Sequence, residues 1–259
     1  MNLVKKFVIS GAGSGIGRAV AVQLSKVSFS RLILIDRDQQ GLDETLAQLP
    51  DSDRAELIVT DLTENDARSI LSMALGTTPI DGVVAAAGIQ VPSTIEDDNA
   101  WTNLFDGNFH ATRRLVEVCL PNLSHPCASY RNIILISSAM AKYGVPGFGA
   151  YSASKAALES LTRSLAAEYG KRNILVNAIA PGWVNTPMLS VVLRRRSRLE
   201  RVSEQDLLDG LKKMAPTLRI SEAGEIAALV AFLLSGQQQS INGQVIQIDN
   251  GIGLMPQGL

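Results

Sequence analysis

Short apolar runs alternate along this chain with longer amphipathic stretches. Lys6-Phe7-Val8-Ile9 reads as a buried strand, and apolar residues at helical spacing predict a helix over 16–26. Leu32-Ile33-Leu34-Ile35 is a second strand ending at Asp36, followed by a helix over 40–49 and a strand at Leu57-Ile58-Val59. The same reading gives a helix over 65–75, a strand over 82–86, one long helix over 99–119 and a strand over 132–136. A helix over 150–169 and a strand over 174–179 come next. After a polar, arginine-rich segment, a helix over 222–234 and a strand over 244–248 close the pattern. Strands without polar alternation are buried on both faces, as in a parallel sheet. Their regular alternation with helices implies right-handed βαβ units and a doubly wound α/β sheet of about seven strands with helices on both faces. No linker, repeat or low-complexity stretch divides the chain, so 1–259 is expected to form a single domain.

Composition narrows the function classes. Hydrophobic residues make up 46% and charged residues 19% of 259, enough for a substantial core and unlike a disordered chain. A net charge of -1 argues against a general electrostatic grip on nucleic acid. Cys119 and Cys127 are too few for a disulfide framework, and with His110 and His125 they show no ligand-like spacing, so no metal site is expected. Two reduced thiols, no secretory apolar region after Lys6 and no apolar run of the roughly 20 residues that span a bilayer give the expectation of a cytoplasmic protein without membrane contact.

Candidate chemistry begins at the first strand's end, with Ser10 and then Gly11-Ala12-Gly13-Ser14-Gly15-Ile16-Gly17. Gly11 permits a tight turn, Gly15 allows close backbone approach to phosphate, and Gly17 lets the helix pack onto the sheet. A helix N-terminus adds its positive end, which is how a fold holds a pyrophosphate. A glycine turn without ligand is the competing account. Asp36 follows at the end of the second strand, where a carboxylate bonds both ribose hydroxyls of an adenosine and repels a 2′-phosphate, favouring NAD over NADP. Arg37 pulls the other way, since an arginine there can hold that phosphate. Asp61 can bond an adenine amino group, with Leu62 against the ring. Capping of the next helix is the competing account of Asp36, and for Asp61 it serves equally well.

Tyr151-Ser152-Ala153-Ser154-Lys155 puts a phenol and an ammonium one turn apart on one helix face. Alone, such a pair is an ordinary surface feature. Together with Gly11-xxx-Gly15-x-Gly17, Asp61-Leu62, Ala87-Gly88, Asn108, Ser138 and Pro181-Gly182, it resembles the short-chain dehydrogenase/reductase family over nearly the whole chain.

That resemblance implies a Rossmann-type fold and a catalytic tetrad of Asn108, Ser138, Tyr151 and Lys155. A free tyrosine has a pKa of about 10; an ammonium roughly 4 Å away favours its phenolate and brings proton exchange toward neutral pH. Lys155 would also bond the nicotinamide ribose, Ser138 hold the substrate oxygen, and Asn108 keep a relay water in place. The backbone of Val184 and the hydroxyl of Thr186 would bind the nicotinamide carboxamide. Two departures stand out: Ser10 replaces a usual threonine, and Ala85-Ala86-Ala87-Gly88 lacks two frequent asparagines. By the same resemblance 188–216 is a substrate lid, here carrying Arg194, Arg195, Arg196, Arg198 and Arg201. Those arginines either recruit an anionic substrate or form a solvated helix face. Leu189, Val191 and Val192 either meet an apolar substrate or pack.

The implied activity is an NAD-dependent interconversion of a secondary alcohol and a ketone, in a homotetramer or homodimer. The rivals are an NADPH-dependent reductase of 3-oxoacyl thioesters on acyl carrier protein and a nucleotide-binding regulator without turnover.

Overall fold

The computed structural model describes residues 4–27, 30–123 and 130–254. Seven parallel strands form the central sheet: β1 (Lys5–Ser10), β2 (Ser30–Asp36), β3 (Ala55–Val59), β4 (Gly82–Ala85), β5 (Arg131–Ile136), β6 (Ile174–Pro181) and, after two short strands, β9 (Val245–Ile248). Val184–Asn185 (β7) and Ser221–Glu222 (β8) pair separately beside it. The spatial order is β3-β2-β1-β4-β5-β6-β9, so the winding reverses between β1 and β4. Ligands of such sheets bind at that reversal, beyond the carboxyl ends of the strands.

Successive strand residues feed two different cores, which is why the strands read as unbroken apolar runs. Val8, Ile33, Ile35, Val83 and Ile133 pack on one face against α3 (Ala67–Leu75), α5 (Ala111–Leu123) and part of α6 (Gly149–Tyr169). Phe7, Ile9, Leu32, Leu34 and Ile134 point to the other face, under α1 (Gly15–Ser25), α2 (Gln39–Leu46) and α9 (Ala223–Leu234). The period of two along a strand makes this division obligatory.

Three elements differ from the sequence expectation. The long helix is broken into α4 (Asp98–Phe105) and α5 by a π turn over Asp106–His110. The helix expected over 40–49 stops at Leu46. The arginine-rich segment is helical, as α7 (Pro187–Glu200) and α8 (Glu204–Lys213). Leu189, Leu193, Leu207 and Leu211 close a small core of their own against Trp183 and Ile220, so these helices form a packed flap over the site. Cys127 and His125 lie outside the described residues. Cys119 is fully buried, and burial pushes its thiol up to about 12.

Candidate active site

The turn after β1 is built around contacts that only glycine admits. Gly11 has φ +68°, and a Cβ there would come within 2.7 Å of the Ala87 backbone nitrogen. The β1 and β4 loops therefore touch at the winding reversal, and Ala87 N–H donates to the Ser10 hydroxyl at 3.3 Å. A Cβ on Gly17 would overlap the Gly11 carbonyl, which ties α1 down onto the loop. Ser14 precedes α1 in extended conformation without a side-chain cap, and no acidic residue sits in the first turn. The N–H groups at this helix start are thus left for an anion.

A cavity of about 350 Å³ runs from this loop to Asp36, Arg37, Asp61 and Leu62. Asp36 Oδ2 accepts from Gly13 N–H at 2.9 Å and Oδ1 from Asp38 N–H at 3.1 Å. It does not cap α2, whose N-cap position is Asp38. Asp61 does not cap α3 either; it closes a local turn, accepting from the Thr63 N–H at 2.9 Å and the Thr63 hydroxyl at 2.8 Å. Partial burial raises its pKa, but the Thr63 and Arg37 bonds outweigh this and leave it lowered. Arg37 turns to Asp61 at 3.2 Å, with its own side chain 65% exposed. Arg18 braces the loop from behind, donating to the Gly13 carbonyl, to Gly41 O at 3.1 Å and to Glu44 at 2.9 Å. Glycine contacts, helix start and cavity together fit a dinucleotide.

The four tetrad positions come from three places in the fold (the π turn, the end of β5 and α6) and meet beside this cavity. Asn108 is 0% exposed, and Ser138, Tyr151 and Lys155 no more than 7%. The Ser138 hydroxyl hydrogen-bonds Tyr151 and accepts from Met140 N–H at 3.2 Å. Lys155 Nζ donates to Ile136 O at 2.9 Å and lies 6.0 Å from the centre of the Tyr151 ring. Burial dominates both groups: it raises the Tyr151 pKa, against the opposing Ser138 bond, and lowers Lys155 to about 8. The expected phenolate-favouring effect of Lys155 is therefore outweighed here, because the ammonium is directed to the Ile136 carbonyl and both groups are desolvated.

Asn108 sits on the π turn. Its Oδ1 accepts from Ile89 N–H at 2.8 Å, and its Nδ2 donates to Ile89 O at 3.1 Å and Ser154 Oγ at 2.9 Å. A Cβ on Gly88 would stand 3.0 Å from Asn108 Oδ1 and 3.2 Å from Lys155 Nζ. Across the crevice, Thr186 starts α7, its hydroxyl donating to Val184 O at 3.3 Å. Gly15 faces it, since a Cβ there would be 3.4 Å from Thr186 Cγ2.

Tyr151, Ser138 and Lys155 line a pocket of about 110 Å³ together with Pro181, Gly182 and Val184. Through Gln90, Met140, Tyr143 and Trp183 this pocket shares walls with a larger cavity of about 660 Å³ under α7 and α8. Tyr143 is a site residue that sequence reasoning missed. Burial, Asp249 and Tyr151 push its phenol up to about 12. It lies in a Gly/Pro-rich loop with no periodicity, so no spacing signal marks it. Ser154, Ile89 and Gln90 were missed for the same reason: their roles depend on tertiary contact.

Comparison with known proteins agrees with this geometry. The family model described as enoyl-(acyl carrier protein) reductase matches residues 11–253. Galactitol 2-dehydrogenase (L-tagatose-forming) from Cereibacter sphaeroides is 34% identical over 251 residues, covering 94% of this chain and 92% of that protein. Tetrahydroxynaphthalene reductase PfmaG from Pestalotiopsis fici is 30% identical over 253 residues, covering 95% and 91%. The crystal structure of L-sorbose reductase from Gluconobacter frateurii, complexed with NADPH and L-sorbose, aligns with a TM-score of 0.88 at 25% identity, covering 96% of this chain and 97% of that one. The chain belongs to the short-chain dehydrogenase/reductase family of oxidoreductases, which act on CH–OH and C=O groups with nicotinamide cofactors. Among the described residues no helix is long and apolar enough to cross a membrane, and no group of three or more His, Cys, Asp or Glu could hold a metal ion.

Proposed function

We propose that this protein interconverts a secondary alcohol and a ketone, using NAD(H) as cofactor and Tyr151 as the proton-exchanging group. The observation that carries the reading is the buried Tyr151 hydroxyl, bonded to Ser138 and held on the wall shared with the cofactor-binding residues Gly88, Val184 and Thr186. When bound, nicotinamide supplies or accepts a hydride at the substrate carbon. The remaining work falls to the chain. Gly11, Gly13, Ser14, Gly15, Ile16 and Gly17 receive the pyrophosphate, and Asp36 the adenosine ribose. Ser138 and Tyr151 converge on the substrate oxygen and fix its distance from the reacting carbon. In reduction Tyr151 gives its proton to the developing alkoxide, and Lys155 offsets the phenolate charge this leaves. Asn108 holds the Ile89 backbone and Ser154, so that Gly88 stays against Lys155. The family likeness also carries the expectation of a homotetramer or homodimer.

Ketone-dependent oxidation of NADH by the purified protein, compared with Tyr151→Phe, tests the reading. Removing a general acid typically costs on the order of 10²–10⁴-fold, so the variant should lose nearly all turnover while still binding NADH. Equal turnover by both proteins would contradict it, and binding without turnover in the wild type would favour a regulator.

A further inference from the structure

The cavity of about 660 Å³ under the flap has an unusual charge pattern. Its walls are mostly apolar, and four of the apolar side chains around it are exposed: Val91 at 38%, Val191 at 54%, Leu199 at 72% and Met214 at 50%. Exposed apolar side chains clustered at a cavity mark a binding surface. Of the five flap arginines, only Arg195 and Arg196 line it. Arg196 is neutralised by Glu200, at 2.7 and 3.1 Å. On the facing helix, Lys212 pairs with Asp209 at 2.9 Å, whereas its neighbour Lys213 lines the cavity. Arg195 and Lys213 thus approach the same apolar space from α7 and α8, neither in a direct ion pair among the described residues, although Asp209 acts on Lys213 at longer range. Glu200, the one acidic residue in the lining, is already used by Arg196.

We propose that the substrate is amphipathic: an apolar body carrying the reacting alcohol or ketone, ended by an anionic group that Arg195 and Lys213 bind. This rests on the proposed function, because it takes the pocket at Tyr151 as the reacting end. Apolar length is met by Val91, Val191, Leu199 and Met214, while the anion offsets two cations that make no direct ion pair among the described residues. Leu189 and Val192 are buried at 5% and 7%, so of the three apolar flap residues singled out in the sequence Val191 is the one presented openly to a ligand. A free carboxylate and the phosphates of a coenzyme A thioester share this chemistry, and separate probes distinguish them.

Trp183 lines the cavity, so its fluorescence reports occupancy without turnover. Dodecanoate, dodecan-1-ol and dodecanoyl-coenzyme A would be titrated into the wild type and into an Arg195→Ala/Lys213→Ala double variant. Two partly screened charges are expected to make dodecanoate bind about tenfold tighter than the alcohol at low salt, a preference lost in the double variant and at high salt. Dodecan-1-ol should bind both proteins alike, which shows that the variant is folded. Tighter binding of the thioester than of dodecanoate would assign the anion to coenzyme A phosphates, and the reverse to a free acid. Equal binding of acid and alcohol to the wild type, or a preference that survives in the double variant, would overturn the inference. Failure of the redox reading would show separately, as a protein that leaves NADH unoxidised whatever ketone is supplied yet keeps the dodecanoate preference.

Discussion

Lys155 is the most expensive side chain in the site to keep charged. Its ammonium is buried and hydrogen-bonds one backbone carbonyl, Ile136 O, and burial lowers its pKa to about 8. Tyr151 is shifted the opposite way, so its proton stays on through the neutral range. In the proposed reduction Tyr151 must start protonated and Lys155 charged, and the sign of the pH dependence follows. Below pH 8 both conditions hold; as pH rises through about 8, Lys155 becomes neutral and no longer offsets the phenolate. The kcat/KM for ketone reduction should therefore be level on the acid side of this value and fall above it. Lys155→Arg keeps its charge far above that range, so its alkaline fall should move to higher pH even if the rate is lower throughout. A fall still centred near the wild-type value in the variant would assign it to another group.

At the scale of elements, the π turn over Asp106–His110 is what brings Asn108 inward. A π turn inserts an extra residue into helical winding and recurs at functional sites. Here it points the amide at Ile89 and Ser154, joining the β4 loop to α6. Asn108→Ala would leave the Ile89 N–H and C=O and the Ser154 hydroxyl short of partners inside the protein. The expected cost is about 2 kcal/mol, or a Tm lower by roughly 4–8 °C, with turnover falling as Gly88 and Lys155 lose alignment. An unchanged Tm would mean that water replaces the amide freely. The strands, the glycine turn and the Tyr151/Lys155 pair were legible in the sequence because each is set by local pattern: apolar runs, glycine spacing, one helical turn. The π break was not, since Gly107 and Asn108 interrupt an otherwise helical stretch without a proline or a cap. Nor were the bounds of α7 and α8, where arginines on the first and acidic and lysine residues on the second hide the few leucines that pack them. Spacing put Tyr151 and Lys155 on one face but gave no measure of burial, so the outcome of desolvation against attraction was out of reach.

At the scale of the whole molecule, the winding reversal between β1 and β4 gathers the glycine turn, Gly88 and the ends of β2 and β3 around one crevice. In the proposed reading, charge at its far end selects the cofactor. Asp36 faces that crevice with a carboxylate fixed by Gly13 and Asp38, whereas Arg37 is largely exposed and already engaged by Asp61. An exposed ion pair is weak, so Arg37 could swing toward a 2′-phosphate, but it would do so beside an anchored negative charge. The L-sorbose reductase relative was solved with NADPH, which makes this the point where family likeness and local electrostatics differ. A fluorescence titration with NADH and, separately, NADPH tests the account most directly. It predicts NADH binding at least about tenfold tighter, a gap of 1.4 kcal/mol or more, narrowed by Asp36→Ala. Tighter NADPH binding would contradict it and transfer the selecting role to Arg37.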